Sequence, residues 1–251
     1  MNKTILGFLL MFFTGGSLLS AQGDAFDIQM KVYRAAMKNY DFQTAISALY
    51  GMEAIKPERT DLNDSLAILY FEDEKYAQAT VTAQAIVNAD PKRNDMLEMV
   101  AISKQKLGMV KESLSDYEKL YAADKQIYFL YQIATLQFQL ERFGECLASI
   151  DQIIASPDAD KQKVNIPVQN RSQQVPMKAA AYNIRGICAA QLNQVDAAKE
   201  NLNKALELYP DFVLAKANLE ALDKKQGDTK TPSKTTTTTT KTSTAPAPVK
   251  H

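Results

Sequence analysis

Apolar and small positions recur along the middle of this chain with two periods, one short and one long. A small residue follows an aromatic residue or Val by three positions in five places. The pairs are Phe42 and Ala45, Tyr76 and Ala79, Val110 and Ser113, Phe143 and Cys146, and Val195 and Ala198. The small residues lie 34, 34, 33 and 52 positions apart. Four residues beyond them stand Leu49, Ala83, Tyr117, Ile150 and Leu202; seven beyond stand Met52, Ile86, Leu120, Ile153 and Ala205. Spacings of four and seven put all three positions on one face of a helix. Twelve residues beyond the small position come Pro57, Pro91 and Pro210, where a helix cannot continue. Lys125 takes that place in the third unit, and in the fourth Pro157 falls one residue early.

A second helical stretch precedes each of these. Twelve residues before the small position stand Ala67, Ala101, Ala134 and Gly186, which let two helix backbones approach closely. Apolar Leu66, Val100 and Ile133 sit just ahead of the first three. Short turns such as Asp73-Glu74-Lys75, Leu107-Gly108-Met109 and Leu192-Asn193-Gln194 fall between the two helices. The pattern predicts a helix, a tight turn and a second helix, repeated at a period that marks a solenoid.

Over roughly residues 26–222 the chain resembles the tetratricopeptide repeat family. The fullest match runs from Tyr182-Asn183-Ile184-Arg185-Gly186 through Ala198 and Ala205-Leu206-Glu207-Leu208 to Pro210, and Asn88-Ala89-Asp90-Pro91 has the form of the family's inter-repeat turn. Tyr33 and Ala36 reverse the family's usual sizes in the first unit, and Arg185 stands where an aliphatic residue is usual. The resemblance implies an all-α, right-handed α-solenoid of about five helix-turn-helix repeats. Phe212–Leu222 follows Pro210 as one more amphipathic stretch, the capping helix that a solenoid needs over its last apolar face.

Breaks in the pattern set the remaining boundaries. Residues 24–158 hold units one to four, and residues 177–226 hold the fifth unit and the cap. The 18 extra residues before the fifth unit carry Pro157, Pro167 and Pro176 and polar runs, which predicts an insertion loop over 159–176. That loop is either a binding element, with Ile166 and Val168 as contacts, or a tolerated surface insertion. Residues 227–251 are rich in Thr, Lys and Pro, with Thr235–Thr240 uninterrupted, and lack the apolar pattern that would offset ordering entropy. Residues 1–21 have the form of a secretory leader: Lys3, an apolar run from Ile5 to Phe13, then Ser20-Ala21 before a cleavage point. The expectation is export, to the periplasm or beyond.

Composition narrows the chemistry. Residues 22–228 hold 24 basic and 29 acidic residues, a net of −5, which argues against nucleic acid as the main partner. The one His is His251, so no Ser-His or Cys-His pair is available. Cys146 and Cys188 form no CxxC pair and read as small buried residues. No catalytic residues, metal ligands or cofactors are therefore expected, and Asp61, Asp64 and Glu72 to Glu74 read as surface charges.

The resemblance offers a groove instead, because the first helix of each such repeat lines a concave surface. Carried over, the groove positions are Met30, Arg34, Met37 and Lys38; Asp64, Ile68, Phe71 and Glu72; Glu98, Ile102, Gln105 and Lys106. The fourth unit adds Tyr131, Thr135, Phe138 and Gln139, and the fifth adds Asn183, Ile187 and Gln191. Phe71, Tyr131 and Phe138 would present aromatic anchors to a protein or peptide partner. A non-enzymatic interaction scaffold of the bacterial envelope is expected, membrane contact being limited to the leader. A self-associating structural component and a glycan or small-ligand binder using the insertion as a lid remain open.

Overall fold

A computed structural model of the protein describes residues 15–230, which form two compact units divided between Gln162 and Lys163. The greater part of the expected leader, and the tail from residue 231 onward, lie outside the described residues. The first unit holds eight helices: α1 (Gly15–Lys38), α2 (Phe42–Ile55), α3 (Asp61–Glu72), α4 (Tyr76–Ala89), α5 (Asn94–Lys106), α6 (Val110–Ala123), α7 (Ile127–Gln139) and α8 (Phe143–Ala155). Each helix packs against the one before and the one after, so the unit is a stack of four helical hairpins.

The repeating positions are the core. Ala45, Ala79, Ser113 and Cys146 are fully buried, as are Leu49, Ala83, Tyr117 and Ile150 one turn on. Met52, Leu120 and Ile153 close the same stripe, with Ile86 half-buried. Ala67, Ala101 and Ala134 are completely enclosed. The helices stop where the periodicity stops. Asp41 caps α2 by accepting from the Thr44 N–H at 3.1 Å, and α2 and α4 end two residues short of Pro57 and Pro91.

The turn inside every hairpin has one geometry. Tyr40, Glu74, Gly108 and Glu141 have φ of 56°, 55°, 75° and 57°, each five residues before the small core position; Asn193 repeats this at 57° in the second unit. In the second hairpin the Glu74 N–H donates to the Phe71 carbonyl and the Lys75 N–H to the Tyr70 carbonyl, at 3.1 and 2.8 Å. This is the Schellman closure, which satisfies the last carbonyls of one helix and turns the chain into the next. Four of the five left-handed positions carry a side chain, and only Gly108 avoids the steric cost.

The second unit begins with a feature that the sequence pattern did not predict. After a 3-10 turn at Pro157–Asp160 ends the first unit, strands β1 (Lys163–Val168) and β2 (Arg171–Pro176) form an antiparallel hairpin, with Val164 opposite Val175 and Ile166 opposite Gln173. The expected loop over 159–176 is thus ordered, and Ile166, expected to be a contact residue, is buried. The period-two pattern Val164-Ile166-Val168 was present, but two prolines and the polar run over 169–174 masked it. Both prolines sit where an isolated ladder loses little, Pro176 at the end of β2 and Pro167 on a two-stranded sheet with free edges.

Helices α9 (Met177–Gln191), α10 (Val195–Leu208) and α11 (Val213–Lys230) complete the second unit. Gly186 on α9 faces α10 so closely that a Cβ there would stand 2.8 Å from Leu202 Cγ and 3.2 Å from the Ala198 carbonyl oxygen. The cap is present, with Phe212, Ala215 and Leu222 buried, and it continues to Lys230, beyond the expected end at residue 226. Likewise α1 begins at Gly15, inside the stretch assigned to the leader. Apart from the β-hairpin, the architecture is the helix-turn-helix solenoid that the repeat pattern predicts.

Candidate functional site

In the first unit the first helices of successive hairpins, α1, α3, α5 and α7, carry the predicted groove positions. Asp64 on α3 joins the start of the next such helix: Arg93 donates to its two carboxylate oxygens at 3.2 and 2.9 Å, and to Asp95 at 2.9 and 2.7 Å. The two carboxylates hold the Arg93 guanidinium well above its ordinary pKa, and its hydrogen bond lowers that of Asp95. Asp64 is therefore a link between repeats. Asp61 is likewise engaged, by Arg59 at 2.6 Å, so the acidic run reads as paired surface charge.

The three expected aromatic anchors differ in burial. Tyr131 is buried, and that burial pushes its hydroxyl pKa up, so it belongs to the core. Phe71 and Phe138 are half-buried and turn toward the second helix of their own hairpins, their rings meeting Tyr76 and Phe143 at 5.8 Å in each case. Met30 and Met37 are half-buried against the first hairpin's core. Thr135 spends its hydroxyl on the Gln132 carbonyl at 2.7 Å.

What remains open to solvent is a different subset. Arg34, Lys38, Glu72, Lys106 and Gln139 are exposed, and Gln105 is half-buried. Ile68 is 45% exposed in the middle of α3, flanked by buried Ala67 and Leu69. Ile102 stands one repeat further on, 34 residues later, and is half-buried. Glu98, one turn before Ile102, is half-buried too. Desolvation alone raises its carboxyl pKa, and its charge helps to raise the hydroxyl pKa values of Tyr117 and Tyr128.

In the second unit the predicted positions face the cap. Asn183 is buried and accepts from Asn218 Nδ2 on α11 at 2.9 Å. Ile187 and Gln191 line a hollow of about 210 Å³ with Asn218, Leu222 and Lys225 of the same helix. A larger cleft of about 660 Å³ lies at the hairpin tip, between Val168, Gln169, Asn170, Arg171, Ser172 and Gln173 and the exposed Val213.

Sequence reasoning missed two polar devices. Asp116, buried on α6, receives Lys104 Nζ from α5 at 2.5 Å and Lys119 Nζ at 2.7 Å. Gln173 on β2 clasps the start of α11 through both ends of its amide. Neither has a periodic signature. Among the described residues no group of three or more His, Cys, Asp or Glu is placed to hold a metal ion, and no helix is long and apolar enough to cross a membrane.

Comparison with known proteins agrees with this architecture. Residues 179–212 match the family model of the tetratricopeptide repeat. YrrB, a tetratricopeptide repeat protein described as having an unusual peptide-binding site, superposes with a TM-score of 0.60 at 14% identity, over 81% of this chain and 96% of its own. A tetratricopeptide repeat protein from Parabacteroides merdae gives 0.63 at 15% identity, over 81% and 74%. MamA from Desulfovibrio magneticus gives 0.55 at 15%, over 68% and 88%. A search of the curated proteins returns no match. The chain shares the fold of these tetratricopeptide repeat structures, and its fifth unit carries the repeat's sequence signature.

Proposed function

We propose that this protein is a non-enzymatic scaffold that holds a segment of a protein partner along the first helices of its first unit. One observation carries the reading most directly. Ile68 is 45% exposed, and Ile102, at the same repeat position, packs against the core with part of its side chain and leaves the rest open to solvent. Apolar surface left open at a repeated position has a cost that a partner's apolar side chain removes. The exposed Arg34, Lys38, Glu72 and Lys106 around them supply a polar rim of mixed charge. YrrB, which shares the fold, is described as binding peptide, and this supports the same use here.

The place of action is the bacterial envelope in this reading, supported by the leader-like residues 1–21. Fractionation of expressing cells, with N-terminal sequencing of the mature chain, tests that part. The binding part is tested by affinity capture from native envelopes after crosslinking, comparing the wild type with a chain carrying Ile68→Glu and Ile102→Glu. Partners that disappear with the double substitution support the groove, and a partner list unchanged by it contradicts it. The cleft at the hairpin tip keeps a small-ligand role open, and saturable glycan binding lost on Arg171→Ala would favour that alternative.

A further inference from the structure

We infer that Glu98 selects a basic side chain, Lys or Arg, in the segment that the first unit holds; the inference rests on the groove reading above. Comparing the repeats with one another shows why. The acid at this position on α3, Asp64, is neutralised by Arg93, 29 residues further along the chain. At the same offset from Glu98 stands Ile127, which is buried and carries no charge. In the second unit the corresponding Asn183 is satisfied by Asn218. Glu98 has inherited the acid of the inter-repeat link without the cation, and no cation or hydrogen-bond donor among the described residues answers its carboxylate.

The surroundings make that vacancy unfavourable in the free protein. The carboxylate is half-buried, and the titratable groups facing it are the phenols of Tyr117 on α6 and Tyr128 on α7. Neither brings positive charge. A half-removed hydration shell without a counter-charge destabilises an ionised group, and a cation supplied from outside recovers that loss. One carboxylate with no other acidic ligand is too sparse for a divalent metal. A flexible ammonium or guanidinium on an extended segment reaches one half-buried acid, and the net charge of −5 on the body favours the approach of such a segment.

Selection from a randomised 12-residue peptide library on the purified full chain tests this. Four proteins are compared: wild type, Glu98→Gln, Glu98→Lys, and Glu112→Gln as a control acid on the exposed first turn of α6. Wild type and Glu112→Gln are expected to enrich peptides with a fixed Lys or Arg. Glu98→Gln should lose that preference and bind the selected peptides roughly tenfold more weakly. Glu98→Lys should enrich acidic residues in the same place, a reversal that damage to the fold does not produce. Enriched peptides that depend on Ile68 but carry no fixed basic residue, or keep one on Glu98→Gln, overturn the inference and leave the groove standing. If no enriched peptide depends on Ile68 or Ile102, the groove reading fails and this inference fails with it.

Discussion

The side-chain amide of Gln173 on β2 donates to the Asp211 carbonyl at 2.6 Å and accepts from the Val213 N–H at 3.2 Å, so one residue fastens the inserted hairpin to the start of the capping helix. The Val213 N–H belongs to the first turn of α11, where it has no partner within the helix. The insertion thus stabilises the end of the fold that it precedes in sequence.

Replacing Gln173 with Ala should leave that N–H to water and free the hairpin. The expected loss is about 1 kcal/mol of stability. Amide hydrogen exchange should accelerate over residues 163–176 and the first turn of α11, while α1 to α8 stay unchanged. Exchange that accelerates uniformly across the chain would argue against a local clasp.

The left-handed turn residues give opposite substitutions of opposite sign. A Cβ on Gly108 would meet nothing within 4 Å, so the cost of Gly108→Ala is purely that of the backbone conformation, about 1 kcal/mol. Glu141 holds the same conformation with a side chain and is exposed. Glu141→Gly should stabilise by about 0.5 kcal/mol, because relief of strain exceeds the added flexibility of the unfolded chain. Thermal melts followed by circular dichroism at 222 nm read both.

Two helical glycines separate packing from propensity. Gly186→Ala forces a methyl against Leu202 and the Ala198 backbone and should cost about 1–3 kcal/mol. Gly144, on the first turn of α8, has open space around it, so Gly144→Ala should stabilise by up to about 1 kcal/mol. Equal effects from the two substitutions would mean that the close approach of α9 and α10 is wrong.

These examples also show which parts of the fold were legible in the sequence. Positions repeated every 34 residues were legible, because Ala45, Ala79, Ser113 and their one-turn partners report the same packing several times over. Glycine 186 was legible for the same reason, as a small residue at a fixed distance from another. The hairpin occurs once, and its strands bury one short face, so nothing in the repeat pattern marked it, and Ile166 and Val168 read only as possible contacts on an insertion loop. The site was harder still. A family position tells which way a helix faces but not how far a large side chain leans, so Tyr131 and Asn183 were expected at the surface and are buried. Asp64 was legible as an acid and not as half of a bridge, because its partner Arg93 lies in the next repeat.

Glu98 makes a prediction with a definite sign in pH. Its carboxyl pKa is raised in the folded chain above the ordinary 4.5, so the folded state disfavours its ionised form. The penalty is present when the group is ionised in both states and vanishes as pH falls through the raised value. Glu98→Gln should therefore be more stable than the wild type at pH 7, and the difference should shrink toward pH 4. Chemical denaturation of both proteins across that range measures it. A wild type more stable than Glu98→Gln at pH 7 would show that Glu98 is satisfied within the fold.

Site-specific photo-crosslinking in intact envelopes tests the central claim most directly. A photoreactive residue at position 68 or 102 should give the same discrete adduct, while one in place of Val81, 72% exposed on α4, should not. Adducts of equal yield from all three positions, or an adduct from position 81 alone, would contradict the proposal that the first helices of the repeats hold the partner.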